Sequence, residues 1–347
     1  MPDLKSVIIV MVGFVLAGGV CPGQEAAAER VEVRQLLDKY AEAQKGLRSY
    51  VVQVQKTELD VVRPVDGAVK ERSISYKEVR TDGGKFYVEE RTPTDMLKEK
   101  AVVTPGDVVS ATWLWDGQLL YWYARYSEAY AREAKIRPNG VVIIYNDPRD
   151  TQLRDLVAQH RPGALGQLLG VGDGRIDAVL RGTQTVSVRD EMESVAGSEC
   201  YIIDAIVYAR RTRFKYKVWL DPGHGYNVAK AMVWMPKGVY SSYGNVIFRQ
   251  VGDVWAPASY EAQERRSEPL NGDEMLRSQV RVTELALNPD HKERGSFVPK
   301  PNDGADVVIR GRGGVERRGF KWMDGKVMDA KGNEVDCRPA KENQKPR

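Results

Sequence analysis

Cysteine and histidine are both scarce, three of each in 347 residues, and this removes most metal and redox chemistry at the outset. There is no Cys-x-x-Cys pair to hold zinc or to cycle a disulfide. His160, His224 and His291 are far apart, and none stands in His-Glu-x-x-His or another ligand spacing. A Gly-x-Ser-x-Gly nucleophile elbow is missing. Gly170, Gly172 and Gly174 have the wrong spacing for a dinucleotide loop, and Gly311–Gly314 is no phosphate loop, so these glycines read as turns. No cofactor is expected. A strong charge of one sign is absent too: 52 basic against 48 acidic residues leave a net +4, so nucleic acid is not an expected partner. Asp204, in an otherwise apolar run, is expected to pair with an Arg or Lys.

One long hydrophobic run exists. Val7 to Val20 follows Lys5 and is shorter than the roughly 20 residues of a membrane-spanning helix. Residues 1–23 therefore read as a secretory signal peptide, with an uncleaved anchor as the alternative. Cys21 ends this run behind small residues, which suggests lipidation, although Val20 before it is branched. For an exported chain, Cys200 and Cys337 are free to form a disulfide; the alternative is two separate thiols, one in a strand and one in a tail.

The apolar spacing of Val33, Leu36, Leu37, Tyr40, Ala43 and Leu47 predicts an amphipathic helix over Ala28–Leu47. Period-two patterning then begins at Tyr50 and recurs in twelve more segments up to Leu287, which predicts a mainly β, α+β fold with a mostly antiparallel sheet. Asp82-Gly83, Asp116-Gly117, Gly252-Asp253 and Asp324-Gly325 supply the turn chemistry of two-residue hairpins. A helical insertion at about 150–169, split by Pro162-Gly163, interrupts the strands. The main domain is expected over 28–290. Residues 291–347 are expected to form a linker, a small basic β appendage and a disordered tail, and together they carry the whole net charge.

A two-residue turn at Asp116-Gly117 pairs Trp113 with Leu120 and puts Trp113, Trp115, Leu120 and Trp122 on one face. Leu114, Leu119, Tyr121 and Tyr123 fall on the other. A hairpin apolar on both faces is covered twice, or lines a cavity on one side. Phe214, Tyr216, Val218 and Leu220 give a second apolar face, alternating with Arg213, Lys215, Lys217 and Trp219 on a basic one. His224 reads as an exposed turn residue.

The order of helix, strand Arg48–Val52, hairpin Trp113–Tyr121, the Val218–Asn227 segment with its Trp-x-Asp-Pro turn, and Val251–Pro257 ending in Trp-x-Pro resembles the LolA-like superfamily of periplasmic lipoprotein carriers and their relatives. That resemblance covers about Val31 to Leu287. It implies an incomplete antiparallel half-barrel curled around a few helices, whose concave face binds the acyl chains of lipid or lipoprotein without catalysis. Trp113, Trp115, Leu120, Trp122, Phe214, Tyr216, Val218 and Leu220 are the expected lining. Two other readings stand beside it: a ligand-free interaction module of the envelope, with membrane-surface or envelope proteins as partners, and a hydrolase with polar groups at a pocket mouth. For the C-terminal stretch, either Phe320 and Trp322 form a docking patch with basic residues, or Trp322 packs on the main sheet.

Overall fold

The computed structural model describes residues 32–338 except 48, 62–68, 94–107, 127, 129–130, 133–138, 148–175, 184, 210–211, 237, 266–274 and 312–313. The expected leader with Cys21, the helical insertion at 150–169 and the final residues 339–347 lie outside them. The described residues form one large, open, curved sheet of seventeen strands with few helices.

Helix α1 (Val33–Ala43) runs on into a 3-10 turn over Gln44–Leu47 and buries Leu36, Leu37, Tyr40 and Leu47, the apolar stripe expected of it. Helix α2 (Ile176–Arg181) lies beside it, with Arg181 Nη2 donating to Asp38 Oδ1 at 2.7 Å.

The first wing of the sheet is a meander of β1 (Ser49–Val61), β2 (Val69–Asp82), β3 (Lys85–Pro93), β4 (Val108–Trp115), β5 (Leu120–Arg125) and β6 (Val141–Tyr145), each paired with the next. The second wing runs from β9 (Ser198–Ala209) through β10 (Thr212–Asp221), β11 (Asn227–Met235), β12 (Gly238–Val251) and β13 (Val254–Arg265) to β14 (Met275–Leu287). Short strands β7 (Thr185–Val188) and β8 (Glu193–Val195) pair with β9 along its outer edge. Strand β1 joins the wings, because β14 pairs along its other edge with Tyr50 opposite Leu287. All these pairings are antiparallel. The chain then returns to the far side of the first wing, where β15 (Asp306–Arg310) lies parallel to β6, followed by β16 (Glu316–Met323) and β17 (Lys326–Met328). The C-terminal strands thus extend the main sheet, through a parallel joint that local patterning does not announce.

Turn chemistry acted as expected at Gly252-Asp253 and Asp324-Gly325, which join paired residues directly. At the Asp82 turn the two-residue loop is Gly83-Gly84, both at positive φ, with Asp82 paired to Lys85. The Asp116 hairpin differs more. Asp116 Oδ1 accepts from the backbone N–H groups of Gln118 (2.7 Å) and Leu119 (2.8 Å), which stabilises a four-residue loop. Trp115 therefore pairs with Leu120, and Trp113 with Trp122. The slip is by two residues, so every side chain keeps its expected face.

One face carries the principal core, drawn from both wings and both helices. The outer face of β3–β6 is also apolar and is covered by the segment after β14. There Phe297 packs on Tyr87 and Leu114, while Leu119, Tyr123, Val142 and Ile144 meet Val307, Ile309, Trp322, Val327 and Cys337. Trp322 is thus buried in this second core. Arg80 fastens the start of the segment. Its guanidinium lies 3.8 Å from the Tyr87 ring centre, Nη1 donates to the carbonyls of Arg294 and Ser296, and Nε is 3.1 Å from Glu78 Oε1. His291 Nε2 is 3.0 Å from Ser49 Oγ, and its ring packs on Phe297.

Two outcomes are expected. Arg80→Met leaves two carbonyls without their donor and takes the cation from the largely buried Glu78, which keeps only its bond from Gln53 Nε2, and should cost about 3 kcal/mol in urea unfolding. Burial holds the His291 imidazole below its ordinary 6.5; Arg80 and Arg294 push the same way, and Asp82 opposes them. The unfolded chain then binds the proton more readily, so this contribution is complete above pH 6.5 and shrinks as the pH falls below it. Unfolding free energies of wild type and His291→Asn, compared across that range, should show the shallower decline in the variant.

Candidate functional site: the aromatic face of the principal core

Cross-strand pairing places the site residues in rows. Tyr50, Thr81, Phe86, Trp115, Leu120 and Tyr145 stand opposite one another from β1 to β6, and one step along each strand come Val52, Val79, Val88, Trp113, Trp122 and Ile143. A further step gives Val54, Lys77, Glu90 and Ala111, where Lys77 Nζ sits 2.8 Å from Glu90 Oε1. Two nearly apolar rows therefore give way to an ion pair along the strands. On the second wing, Phe214, Tyr216, Val218 and Leu220 stand opposite Val207, Ala205, Ile203 and Tyr201.

All eight expected lining residues share the principal core, but they divide by exposure. Leu120, Tyr216, Val218 and Leu220 are closed inside it. Trp113, Trp115, Trp122 and Phe214 pack against it and stay half-buried. Trp113 and Trp122 touch, with ring centres 6.1 Å apart, whereas Phe214 sits on the other wing with its edge on Tyr240 at 5.8 Å. Sequence reasoning missed two polar atoms in this core, the hydroxyls of Tyr50 and Tyr243, which are buried without a hydrogen-bond partner. Burial pushes both phenols up. Alternation along each strand places these rings, but whether a hydroxyl finds a partner depends on strands distant in sequence.

The Asp221–Gly225 turn is a structural clamp. Asp221 accepts from Gly223 N at 2.8 Å and lies 2.6 Å from His224 Nδ1. The His224 ring stacks on Phe248 and meets Trp255 edge-on, so it is half-buried where an exposed turn residue was expected. Beside it, Asn227 Nδ2 donates to the carbonyls of His224 (2.7 Å) and Trp255 (2.9 Å), and Asn227 Oδ1 accepts from Gln44 Nε2 at 3.0 Å. The end of the helical segment is thereby tied to β11 and β13.

On the outer face of the second wing, Trp219 is almost fully buried, whereas the alternation put it on a solvated basic face. Strand β8 explains this: Glu193 accepts from Trp219 Nε1 (2.8 Å) and Lys217 Nζ (2.9 Å), and Lys217 and Lys230 sit over the indole. Asp204 is held by Arg189, as expected of it. Cys200 lies beneath Trp219, and Cys337 lies in the core around Trp322. Both are free thiols, so the disulfide that the sequence allowed is not formed. Burial pushes Cys200 up to about 12 and Cys337 up to about 11. Among the described residues no group of three His, Cys, Asp or Glu side chains could hold a metal ion, and no helix is long and apolar enough to cross a membrane.

No family model matches the chain, and no curated protein matches it in sequence. Several solved structures are similar in part, among them the following three. A DUF1329 family protein from Desulfovibrio piger is 11% identical, with a TM-score of 0.41, over 74% of this chain and 94% of that one. MucB, in the MucA/MucB complex of Pseudomonas aeruginosa, is 11% identical with a TM-score of 0.18, over 77% of this chain and 99% of that one. PNGF-II is 9% identical with a TM-score of 0.23, over 76% of this chain and 31% of that one.

The clamp yields a prediction. Asn227→Ala removes three hydrogen bonds of a buried side chain and should cost about 3 kcal/mol. Hydrogen exchange should show the amides of Tyr40–Leu47 losing protection before those of β1.

Proposed function

We propose that this is an exported envelope protein whose concave aromatic face holds the acyl chains of a lipid or lipidated protein, as a carrier or a sensor, in a half-barrel of the LolA-like kind. The observation that carries the reading is the partial exposure of Trp113, Trp115 and Trp122 on a face whose neighbouring side chains are closed in the core. A carrier needs such a surface. Each methylene moved from water onto it contributes about 0.8 kcal/mol, so a single acyl chain supplies useful affinity without a charged anchor. The flanking Lys77–Glu90 pair bounds the apolar rows on one side and leaves a polar margin for a headgroup. The hydrophobic run before Cys21 supports export.

The role is binding rather than catalysis. The Asp221–His224 pair, which has the composition of an acid–base dyad, is engaged in holding a turn. A ligand-free interaction module is the second reading, favoured by the closure of Leu120, Tyr216, Val218 and Leu220 inside the core.

Mass spectrometry of organic extracts, run beside the intact mass of protein purified from its native envelope, decides between them. We expect a stoichiometric lipid or acylated peptide that is lost from a folded Trp113→Thr/Trp122→Thr variant. A clean extract, with indole fluorescence unchanged by added fatty acid or lipopeptide, would establish the ligand-free module. The intact mass also reads the fate of Cys21.

A further inference from the structure

The β9–β10 and β11–β12 hairpins are neighbours and end at the same rim of the sheet. Strand β9 pairs with β7 only as far as Ile206, so Tyr208 projects beyond its neighbour and is 71% exposed. Opposite it stands Arg213, with Lys215 next on the same face of β10 and Trp234 opposite Lys215 on β11. Tyr240, 39% exposed, packs against Phe214 at this end. Arg213 and Lys215 are exposed and make no ion pair among the described residues. The surrounding sequence is one-sided in charge: residues 205–220 and 222–252 contain no aspartate or glutamate at all, in a chain with 48 of them.

Exposed tyrosines beside cations with no ion pair among the described residues, at hairpin ends that carry no acidic residue from 205 to 220 or from 222 to 252, are the chemistry of an interface between water and anionic lipid. Tyrosine and tryptophan place a ring at headgroup depth with the polar end in water. Clustered Lys and Arg are drawn to a negative surface, each strengthening the attraction by a factor of about five. A soluble polyanion would use the cations but gives no reason to leave Tyr208 and Tyr240 wet. We propose that this rim, formed by Tyr208, Arg213, Lys215, Trp234 and Tyr240, docks the protein on an anionic lipid bilayer. The docking stands whether or not the concave face holds lipid; the two are read by different experiments.

Hydroxyl-radical footprinting of the full chain reads the rim residue by residue, which separates it from any membrane contact of the N-terminal hydrophobic run. Vesicles of phosphatidylethanolamine with phosphatidylglycerol should suppress oxidation of Tyr208 and Tyr240, while Ile247, 63% exposed in the body of β12, stays reactive. Pure phosphatidylcholine vesicles should leave all three reactive. Arg213→Glu with Lys215→Glu should weaken the protection by about tenfold or more in lipid titration, and molar salt should do the same in the wild type. Oxidation of Tyr208 unchanged by anionic vesicles overturns the proposal. So does equal protection by heparin, which would mean a polyanion site, or protection that rises with protein concentration alone, which would mean a contact between copies.

Discussion

Strand β1 is hydrogen-bonded along both edges, and the two wings meet nowhere else in the backbone ladder of the described residues. Its partners come from opposite ends of the chain: β2 follows directly, whereas β14 places Leu287 beside Tyr50. Joining them closes a loop that contains most of the protein, an ordering that local structure cannot assist. The strand is suited to this. Tyr50, Val51 and Val52 are fully buried, so both faces of β1 are covered as well as both edges. Register shifts on either side, after Gln53 against β14 and after Glu58 against β2, mark irregularities that add twist where the wings diverge.

The first wing has a further requirement, because its strands are apolar on both faces. The principal core takes one face; the other would leave Leu114, Tyr123, Val142 and Ile144 in water. The segment after β14 resolves this by crossing behind the sheet, fastened by Arg80 and His291, and then adding its own strands beyond β6. The second wing meets the same difficulty more cheaply. There the outer apolar patch around Cys200, Ile202 and Trp219 is small, and the Glu193 hairpin suffices to cover it.

The strands were legible because half-buried strands alternate, and their ends because Gly and Asp mark the turns. The hairpin register was not, since the Asp116 carboxylate widens its own loop, a choice made by two backbone N–H groups and invisible to period-two counting. The even slip is why Trp113, Trp115, Leu120 and Trp122 still share one face. Burial of Trp219 and His224 escaped the sequence for another reason: each depends on a strand or turn that arrives from elsewhere, β8 in one case and Phe248 with Trp255 in the other. The parallel joint of β6 with β15 likewise leaves no local trace, because either orientation uses the same alternating valines and isoleucines.

The covering of the outer face by the last segment also fixes an order of events. Strands β3 to β6 are synthesised well before the residues that shield their outer side, from Phe297 to Cys337. Until they arrive, a greasy patch of nascent sheet faces whatever surrounds it. A chain that stops short of Trp322 carries that patch permanently, so an incomplete product differs from a finished one in stickiness as well as in length.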